Sequence, residues 1–359
     1  MGKLRKMNIG FDSKWYFEGP ISGKMVVKNL LKTLMHNGKH LIIPIFRYKD
    51  KDKVKAEFGD IDCIYSRINN PFLSNVFEVP FLKKTQKMDL IIFQNFSPFF
   101  GRFKKINYIH DIIFEDRPDF FTLLERVYFY PIKYLSKKAD LIITISKHEK
   151  ERILRKKYSK NVEYIYHGVD NSLHSFSDLD IKKIKLPEKY ILAVGRLNIR
   201  KNIATLVKSF ASINDKDIKL VIVGEKSWKS EEVSIEDSVK SRIVFFQNIS
   251  NQELGLIYSN AHIFCFLSID EGFGLPIIEA MSFGIPTILS NCSVMPEVGK
   301  NAGIKVNPMN TEDIIKSINS LMSNESIYME QKSLSIDRSK FFSWEEPSKK
   351  LIKLCEKLC

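Results

Sequence analysis

The sequence predicts an α/β fold made of two doubly wound domains. Short apolar runs alternate with amphipathic helical stretches along most of the 359 residues, a rhythm typical of parallel sheets covered by helices. The rhythm breaks over residues 171–188, where a polar stretch ends with a proline. Because a chain of this length is sufficient for two domains of about 150–200 residues, we expect one doubly wound domain on each side of the break.

Apolar runs in the first half predict buried parallel strands, since both faces of such strands are covered. These runs are residues 7–11, 41–46, 89–94, 106–110, 140–146 and 162–166. A helical pattern at 23–38 separates the first two runs and places Val26, Leu30 and Leu34 on one face. Gly38 is a suitable residue to end this helix.

A second series of apolar runs follows the polar break. It comprises residues 189–195, 218–224, 241–247, 262–268 and 286–290, with helical stretches at 202–213 and 252–261 between them. Doubly wound sheets bind ligands at the carboxyl ends of their strands. We therefore expect the functional residues in the loops that follow the strands, in a cleft between the two domains.

The composition indicates a folded protein. Hydrophobic residues make up 44% of the chain and charged residues 27%, which favours a packed core over disorder. The five cysteines include no Cys-x-x-Cys pair, so we expect neither a disulfide framework nor a zinc site, and a reducing cytoplasm fits best. No secretory h-region and no run of 18 apolar residues is present, so we expect neither secretion nor a membrane span.

The formal net charge of +14 at pH 7 predicts attraction to polyanions: nucleic acid, anionic lipid or phosphorylated substrates. Residues 120–135 mix aromatic, aliphatic and basic side chains, which is typical of binding at an anionic membrane surface. A solvated helix face in a lysine-rich chain would give the same pattern. Without a helix-turn-helix, RNP or zinc motif, we expect no nucleic-acid partner.

The turn at 193–206 carries a candidate anion site. An apolar strand ends at Gly195, a helix opens near Asn202, and Arg196 and Lys201 flank the turn. The N–H groups at a helix start carry partial positive charge, Arg binds phosphate as a fork, and Lys adds a point charge. The pattern suits a diphosphate, although two surface cations beside an Asn N-cap would look the same.

The stretch EGFGLPIIEA, residues 271–280, carries a second candidate. Pro276 suits the first turn of a helix, so Glu271 precedes the helix and Glu279 lies inside it. Backbone N–H groups of three residues cluster at its start: Phe273, Gly274 and Leu275. Carboxylates accept hydrogen bonds from vicinal hydroxyls, as on ribose or a sugar ring. Complementing the helix dipole would explain the acids but explains the glycines before the helix less well.

Two weaker signals lie in the first half. Gly19 and Gly23 belong to a glycine turn, GPISGK, that leads into a helix and lacks dinucleotide-binding spacing. This turn could face the same anion as the two sites described above. His110 and Asp111 follow an apolar strand at its carboxyl end. A lone histidine there is more often structural than catalytic, but the adjacent acid and the position at the strand end favour a catalytic role.

Taken in order, these motifs resemble the retaining glycosyltransferases of family 4. The resemblance rests on His110–Asp111 and on residues 139–153, 165–170, 191–210, 249–261 and 271–310. It implies the GT-B fold, two Rossmann-like domains facing a central cleft. It also implies a GDP-, dTDP- or UDP-linked sugar donor and no required metal or other cofactor.

The resemblance also implies roles for individual residues. Arg196 and Lys201 match the family's diphosphate ligands, and Glu279 matches the carboxylate that holds the ribose hydroxyls. Glu271 matches the carboxylate at the transferred sugar, and His110 matches the residue near the sugar's hydroxymethyl group and anomeric centre. Catalysis is accordingly expected from His110, Arg196, Lys201 and Glu271. Further donor contacts are expected from Gly19, Gly23, Asn248, Ile249, Phe273, Gly274 and Leu275.

The implied layout has four parts. They are an acceptor-binding domain at 1–172, a linker at 173–188, a nucleotide-sugar-binding domain at 189–335 and a terminal helix at 336–359 that crosses back to the first domain. Gln247 stands where relatives often have glycine, before the backbone that contacts the base, so uridine, guanosine and thymidine all remain open.

The expected reaction moves a hexose, mannose or rhamnose, with retention of configuration, to a lipid-linked or lipopolysaccharide/O-antigen-type glycan. The expected location is the cytoplasmic face of the cell membrane, with the protein bound peripherally. Two alternatives stay open: a non-catalytic sugar-nucleotide-binding subunit, and a transferase that uses a UDP-sugar on a different acceptor. The sequence also leaves the oligomeric state open.

Overall fold

Two compact units make up the computed structural model, which describes residues 5–176, 184–225 and 235–359. The first unit comprises Met1–Glu115, Leu123–His167 and Ser343–Cys359. The second comprises Asp116–Thr122 and Gly168–Phe342. Part of the expected linker, residues 177–183, lies outside the described residues.

The first unit is built on a seven-stranded parallel sheet with the order β3-β2-β1-β4-β5-β6-β7. Its strands are β1 Asn8–Asp12, β2 Leu41–Arg47, β3 Ile64–Ser66, β4 Leu90–Gln94, β5 Lys104–Tyr108, β6 Leu141–Thr144 and β7 Val162–Tyr164. In the register, Ile9 of β1 pairs with Ile42 on one side and Leu90 on the other. β4 and β6 are buried along their whole lengths, as expected for strands covered on both faces.

The helices of the first unit, labelled in chain order, are α1 Ile21–Asn37, α2 Lys51–Phe58, α3 Pro71–Leu73, α4 Leu123–Phe129, α5 Pro131–Ser136, α6 Lys147–Arg155 and the last helix, α14 Glu345–Leu358. Helix α1 buries the apolar face that its sequence predicts, including Val26, Leu30 and Leu34. It ends at Gly38, which adopts the left-handed conformation with φ 65°, as expected for a glycine stop.

The second unit has a six-stranded parallel sheet with the order β10-β9-β8-β11-β12-β13. Its strands are β8 Tyr190–Val194, β9 Lys219–Val223, β10 Ile243–Phe246, β11 Ile263–Phe266, β12 Thr287–Ser290 and β13 Ile304–Val306. Its helices are α7 Ile203–Ala211, α8 Asp237–Lys240, α9 Asn251–Ser259, α10 Leu275–Ser282, α11 Met295–Gly299, α12 Thr311–Ser323 and α13 Glu325–Ser339. Residues of α7 and α12 pack on the sheet in one buried apolar cluster.

The chain returns to the first unit in its last helix. α14 begins at Glu345, whereas residues 336–339 of the expected terminal helix end α13 in the second unit. α14 buries Leu351, Ile352 and Cys355. Its Glu356 accepts a hydrogen bond at 2.9 Å from Nε2 of the buried His40.

The two sheets confirm the expected fold class of two Rossmann-like α/β domains. Every apolar run identified in the sequence overlaps a strand, although β5 begins and ends two residues before the run at 106–110. β3 and β13 were not predicted. Both lie at a sheet edge and have only three residues, and a strand of this length is too short to give a periodic pattern in the sequence.

Candidate active site

The turn after β8 places the Lys201 side chain against Gly195, at the end of the strand. Gly195 has φ 146°, and a Cβ at this position would lie 2.8 Å from Lys201 Cε, so a side chain here would meet the lysine. Lys201 N donates to the side chain of Asn198 at 3.1 Å, which ties the turn together. Asn202, in the left-handed conformation with φ 54°, starts α7.

Lys201 is a cation of this turn whose side chain is only 10% exposed. Its Nζ lies 2.7 Å from Glu271 Oε1 and 4.3 Å from the centroid of the Phe266 ring. Burial lowers the pKa of Lys201, and the nearby Glu271 carboxylate opposes that effect. Arg196, by contrast, is exposed, and its side chain forms no ion pair with the described residues. Of the two cations that the sequence predicts here, Lys201 is therefore paired and Arg196 is exposed.

Arg200 is a second partner of Glu271 that the sequence interpretation missed. Its guanidinium forms an ion pair with Glu271 Oε2, and its Nη1 donates to the carbonyl of Asp270 at 2.9 Å. Burial alone would raise the pKa of Glu271, but Arg200 and Lys201 together lower it to about 2. Glu271 is thus ionised at neutral pH. The only sequence signal for Arg200 was its place beside Lys201.

Ser293 ties the loop that carries Glu271 to the loop after β12. Glu271 N donates to Ser293 Oγ at 3.2 Å, and Ser293 Oγ donates to Asp270 Oδ1 at 2.6 Å. Ser293 has φ 52°, in the left-handed region that L residues adopt rarely. The position of Glu271 therefore depends on a contact between residues about twenty positions apart, which local patterns do not reveal.

Helix α10 begins as the glycine–proline pattern predicts. Gly274 has φ 88° and precedes Leu275, the first helical residue, and Pro276 lies in the first turn. Phe273 is buried beside the turn. The first N–H groups of a helix have no acceptor within the helix and carry partial positive charge, so this end of α10 can receive an anion.

Glu279 lies inside α10 and differs from Glu271 in its proton affinity. It is 9% exposed, and its Oε2 accepts a hydrogen bond from the Tyr258 hydroxyl at 2.9 Å. Burial raises the pKa of Glu279 to about 7; Asp170 adds to this effect, whereas the Tyr258 hydrogen bond and Lys201 oppose it. Two carboxylates eight positions apart thus have opposite tendencies, one fixed as an anion and one close to half-ionised at neutral pH.

Asn248 and Ile249 lie in the loop between β10 and α9. Asn248 is exposed and adopts φ 54°, and Ser250 caps α9 with a reciprocal hydrogen bond to Glu253. No hydrogen bond or ion pair among the described residues joins Asn248 or Ile249 to Glu271 or Glu279. Their expected role at the donor stays a prediction.

The other predicted residues belong to the first unit. His110 N donates to Asn95 Oδ1 at 3.1 Å, and His110 Nε2 lies 2.9 Å from Gln94 Oε1. Burial lowers the pKa of His110 to about 4, so its imidazole is neutral at pH 7. The Trp15 ring lies 5.2 Å from the His110 ring, measured between centroids.

Gly19 and Gly23 have a packing reason that the sequence did not reveal. A Cβ at either residue would lie 2.9 Å from the Trp15 side chain, so both glycines make room for this indole. Neither has a left-handed φ. The two glycines therefore leave space for Trp15, whose ring lies beside His110. The expected contact of the glycine turn with phosphate stays a prediction.

In the described ranges, no three His, Cys, Asp or Glu side chains converge in a way that could hold a metal ion. In the same ranges, the helices are all too short or too polar to cross a membrane.

Two family models match adjoining parts of the chain. Glycosyltransferase Family 4 matches residues 24–173, and Glycosyl transferases group 1 matches residues 176–336. Among curated proteins, the O-antigen chain mannosyltransferase RfbU of Salmonella typhimurium is 32% identical over 208 residues, 56% of this chain and 56% of that protein. The O-antigen chain mannosyltransferase B of Escherichia coli is 26% identical over 211 residues, 57% of this chain and 54% of that protein. The matched part thus spans about half the length of these relatives.

Solved structures match over nearly the whole chain. Sucrose-phosphate synthase from Thermosynechococcus elongatus has a TM-score of 0.74 at 20% identity, with 98% of this chain and 99% of that chain covered. Anabaena HepE, in complex with UDP and glucose, has a TM-score of 0.73 at 15% identity, covering 98% and 100%. WaaG, a glycosyltransferase involved in lipopolysaccharide biosynthesis, has a TM-score of 0.69 at 14% identity, covering 97% and 99%. At these identities the likeness establishes the GT-B fold.

The two family models together match residues 24–173 and 176–336, and they meet within ten residues of Gly168, where the second unit resumes. The resemblance inferred from the motifs is therefore confirmed. The chain belongs to the glycosyltransferases of family 4, the group 1 glycosyl transferases.

Proposed function

We propose that this protein transfers a hexose from a nucleotide-sugar donor to a lipid-linked or O-antigen-type glycan. Mannose is the preferred candidate for the hexose, and rhamnose is the second. The observation that carries the proposal is the cluster in the second unit. Two cations, an ionised carboxylate and a second carboxylate of raised pKa lie at the carboxyl ends of β8 and β11 and at the start of α10. The preference for mannose rests on the names of the curated relatives.

The donor's diphosphate would bind to the cations and the helix start. Arg196 is exposed and can reach a ligand, whereas Lys201 would exchange part of its pairing with Glu271 for a phosphate oxygen. The N–H groups of Phe273, Gly274 and Leu275 would supply further donors. These groups favour bond cleavage because they stabilise the negative charge that develops on the leaving diphosphate.

The two carboxylates would orient the sugars on either side of the diphosphate. Glu279 would accept hydrogen bonds from the ribose hydroxyls, and Glu271 from hydroxyls of the transferred hexose. Glu271 is held by Arg200, Lys201 and Ser293, so its orientation costs little to maintain when the donor binds. Asn248 and Ile249 would lie beside the base.

We further propose that the reaction retains the anomeric configuration. The acceptor oxygen would bond to C1 on the face from which the diphosphate leaves. The C1–O electron pair would pass to the diphosphate, and the acceptor's proton to a phosphate oxygen. His110, neutral at pH 7, would contact the hexose hydroxymethyl group as a hydrogen-bonding group rather than a charged one. Gly19 and Gly23 are proposed to approach the donor phosphate. Arg196, Lys201 and the helix start would supply the positive charge that a divalent metal supplies in other transferases.

A peripheral position on an anionic membrane fits helices α4 and α5. Their surface exposes Leu123, Leu124, Val127 and Tyr130, with Leu124 83% exposed, beside the exposed Lys137. Exposed apolar groups of this size are costly in water and favourable in the interfacial region of a bilayer, where lysines add attraction to anionic lipid. A lipid-linked acceptor would be presented at the same surface.

The test is transfer by the purified protein. GDP-mannose, dTDP-rhamnose and UDP-glucose, each radiolabelled in the sugar, would be incubated with a lipid-diphosphate-linked oligosaccharide, and the product's anomeric configuration read by NMR. Transfer from GDP-mannose with retention supports the proposal. Binding of a donor without transfer favours the non-catalytic subunit, and transfer from UDP-glucose alone favours the alternative transferase. Inversion of configuration would exclude the proposed front-face reaction.

A further inference from the structure

Tyr258 is buried in the second unit with its hydroxyl directed at a single side chain. Its ring stacks on Phe283, with centroids 5.6 Å apart and planes at 14°, and lies 6.0 Å from the Phe264 ring. Its hydroxyl donates to Glu279 Oε2 at 2.9 Å. Because the aromatic neighbours fix the ring, the hydroxyl has little freedom to point elsewhere.

The other carboxylate oxygen of Glu279 is in a different situation. Glu279 Oε1 has no hydrogen-bond partner in the part of the chain that the structure describes, and the residue as a whole is 9% exposed. One oxygen of the carboxylate is therefore anchored and the other is available to a ligand.

Charged and titratable groups from several elements face Glu279. Tyr258 reaches it from α9, Asp170 from the segment after β7, and Lys201 from the turn before α7. His174 lies near the end of α10, where its Nε2 is 3.0 Å from Ser282 Oγ and its ring stacks on Phe283 at 4.2 Å. Tyr258 is the group among these that contacts the carboxylate by a direct hydrogen bond.

We propose that Tyr258 is a positioning residue for the donor nucleotide, because its buried hydroxyl anchors one Glu279 oxygen and thereby presents the other to the ribose hydroxyls. The proposal rests on the proposed function of Glu279 and adds a residue to it. An anchored carboxylate loses less conformational freedom when the nucleotide binds, so part of the cost of binding is removed in advance.

The same hydrogen bond couples nucleotide binding to pH. A phenol O–H that donates to a carboxylate stabilises the ionised form, and the ionised form accepts hydroxyl hydrogen bonds through both oxygens. The pKa of Glu279 is about 7, so affinity for the nucleotide should increase as pH rises through neutrality. Loss of the Tyr258 hydroxyl should move that increase to higher pH.

The chain offers a matched control for this test. Tyr190 is also fully buried in the second unit, but its hydroxyl donates to the backbone oxygen of Ile257 at 2.6 Å. Tyr258→Phe and Tyr190→Phe both keep the ring and lose one buried hydrogen bond. Only Tyr258→Phe removes the anchor of Glu279.

The first measurement is a ¹³C NMR titration of the Glu279 carboxyl, from pH 5 to 9, in protein labelled at glutamate Cδ and assigned with Glu279→Gln. We expect the midpoint in Tyr258→Phe to lie about one pH unit or more above the wild type, as for loss of a hydrogen bond to a charged group. Tyr190→Phe should titrate like the wild type. If Tyr258→Phe folds poorly, 2,3-difluorotyrosine at position 258, a stronger donor, should lower the midpoint instead.

The second measurement is calorimetric binding of UDP, GDP and dTDP across the same pH range. Tyr258→Phe should weaken binding about tenfold at pH 7, and the loss should shrink towards pH 9, where Glu279 is ionised again. Equal midpoints and equal affinities in the two tyrosine variants would overturn the proposal. If the wild type binds neither UDP, GDP nor dTDP, the donor site itself is wrong, while the NMR titration still decides whether Tyr258 controls Glu279.

Discussion

Lys201 Nζ lies 2.7 Å from Glu271 Oε1, and the two side chains are only 10% and 8% exposed. Arg200 completes the pairing from the other side of the carboxylate. Two cations thus share one carboxylate at the end of β8. A diphosphate that binds here would meet a cation whose position is already fixed, which is the kind of preorganisation that favours charge development in a transition state.

The pairing predicts a pH-dependent contribution of Glu271 to stability. The pKa of Glu271 is about 2 in the folded protein and is raised to an ordinary value on unfolding, so the stabilisation is fully present above about pH 4.5. It is lost as pH falls towards 2. We expect Glu271→Gln to destabilise by about 3–5 kcal/mol at neutral pH, as for a broken buried pair.

Urea unfolding of the wild type and Glu271→Gln at pH 7, 5 and 3 measures this effect, and the difference should shrink at pH 3. Glu346→Gln is the control, because Glu346 pairs with Lys349 at 2.7 Å but is exposed, and solvent screens such a pair. Similar losses in both variants at all three pH values would contradict the prediction.

Arg196→Ala should separate activity from stability. Arg196 is exposed and has no ion-pair partner in the described ranges, so its removal should change the free energy of unfolding by about 0.5 kcal/mol or less. Transfer should fall at least about 100-fold, because a group that stabilises charge in a transition state typically contributes this much. Lys208→Ala, an exposed lysine on α7, is the control and should keep full activity. An Arg196→Ala enzyme of normal activity would remove this residue from the site.

The contribution of Glu279 to stability should change with pH in the opposite direction to that of Glu271. Its pKa of about 7 in the folded protein exceeds the ordinary value, so the folded state holds a proton that the unfolded state releases above about pH 4.5. Wild-type stability should therefore fall between about pH 4.5 and 7, by up to about 3 kcal/mol. Glu279→Gln, which does not titrate, should lack this part of the fall. Parallel stability curves for the two proteins would show that Glu279 has an ordinary pKa.

The membrane proposal predicts that binding depends on the surface of α4 and not on exposed apolar residues in general. Leu123→Ser/Leu124→Ser should greatly reduce cosedimentation with vesicles that contain anionic lipid. Met309→Ser/Met329→Ser removes two exposed apolar residues of the second unit and should bind like the wild type. If vesicle binding is lost at high salt but is unchanged in Leu123→Ser/Leu124→Ser, the protein is attracted to the lipid by its basic surface alone.

The sequence was most informative where chemistry is local. Gly38 ends α1, and the Gly274–Pro276 pattern starts α10, because each depends on backbone conformations that one or two residues dictate. Both sheets also followed from apolar runs. Interactions between distant positions were not predicted from the sequence. These are the pairs of Arg200 with Glu271 and of Tyr258 with Glu279, and the packing of Trp15 against the two glycines that make room for it. No short pattern specifies such pairs, since they exist only after the strands have been placed side by side.

The membership of α14 in the first unit has a consequence for synthesis of the chain. The second unit, Gly168–Phe342 with Asp116–Thr122, is complete once residue 342 has emerged from the ribosome. The first unit still lacks Ser343–Cys359 at that point, and with it the buried face of Leu351, Ile352 and Cys355. Domains generally fold from the N-terminus during synthesis. In this chain the first unit contains the residues that are made first and also Ser343–Cys359, which follow the second unit. The apolar surface that α14 covers therefore stays exposed while the second unit is translated.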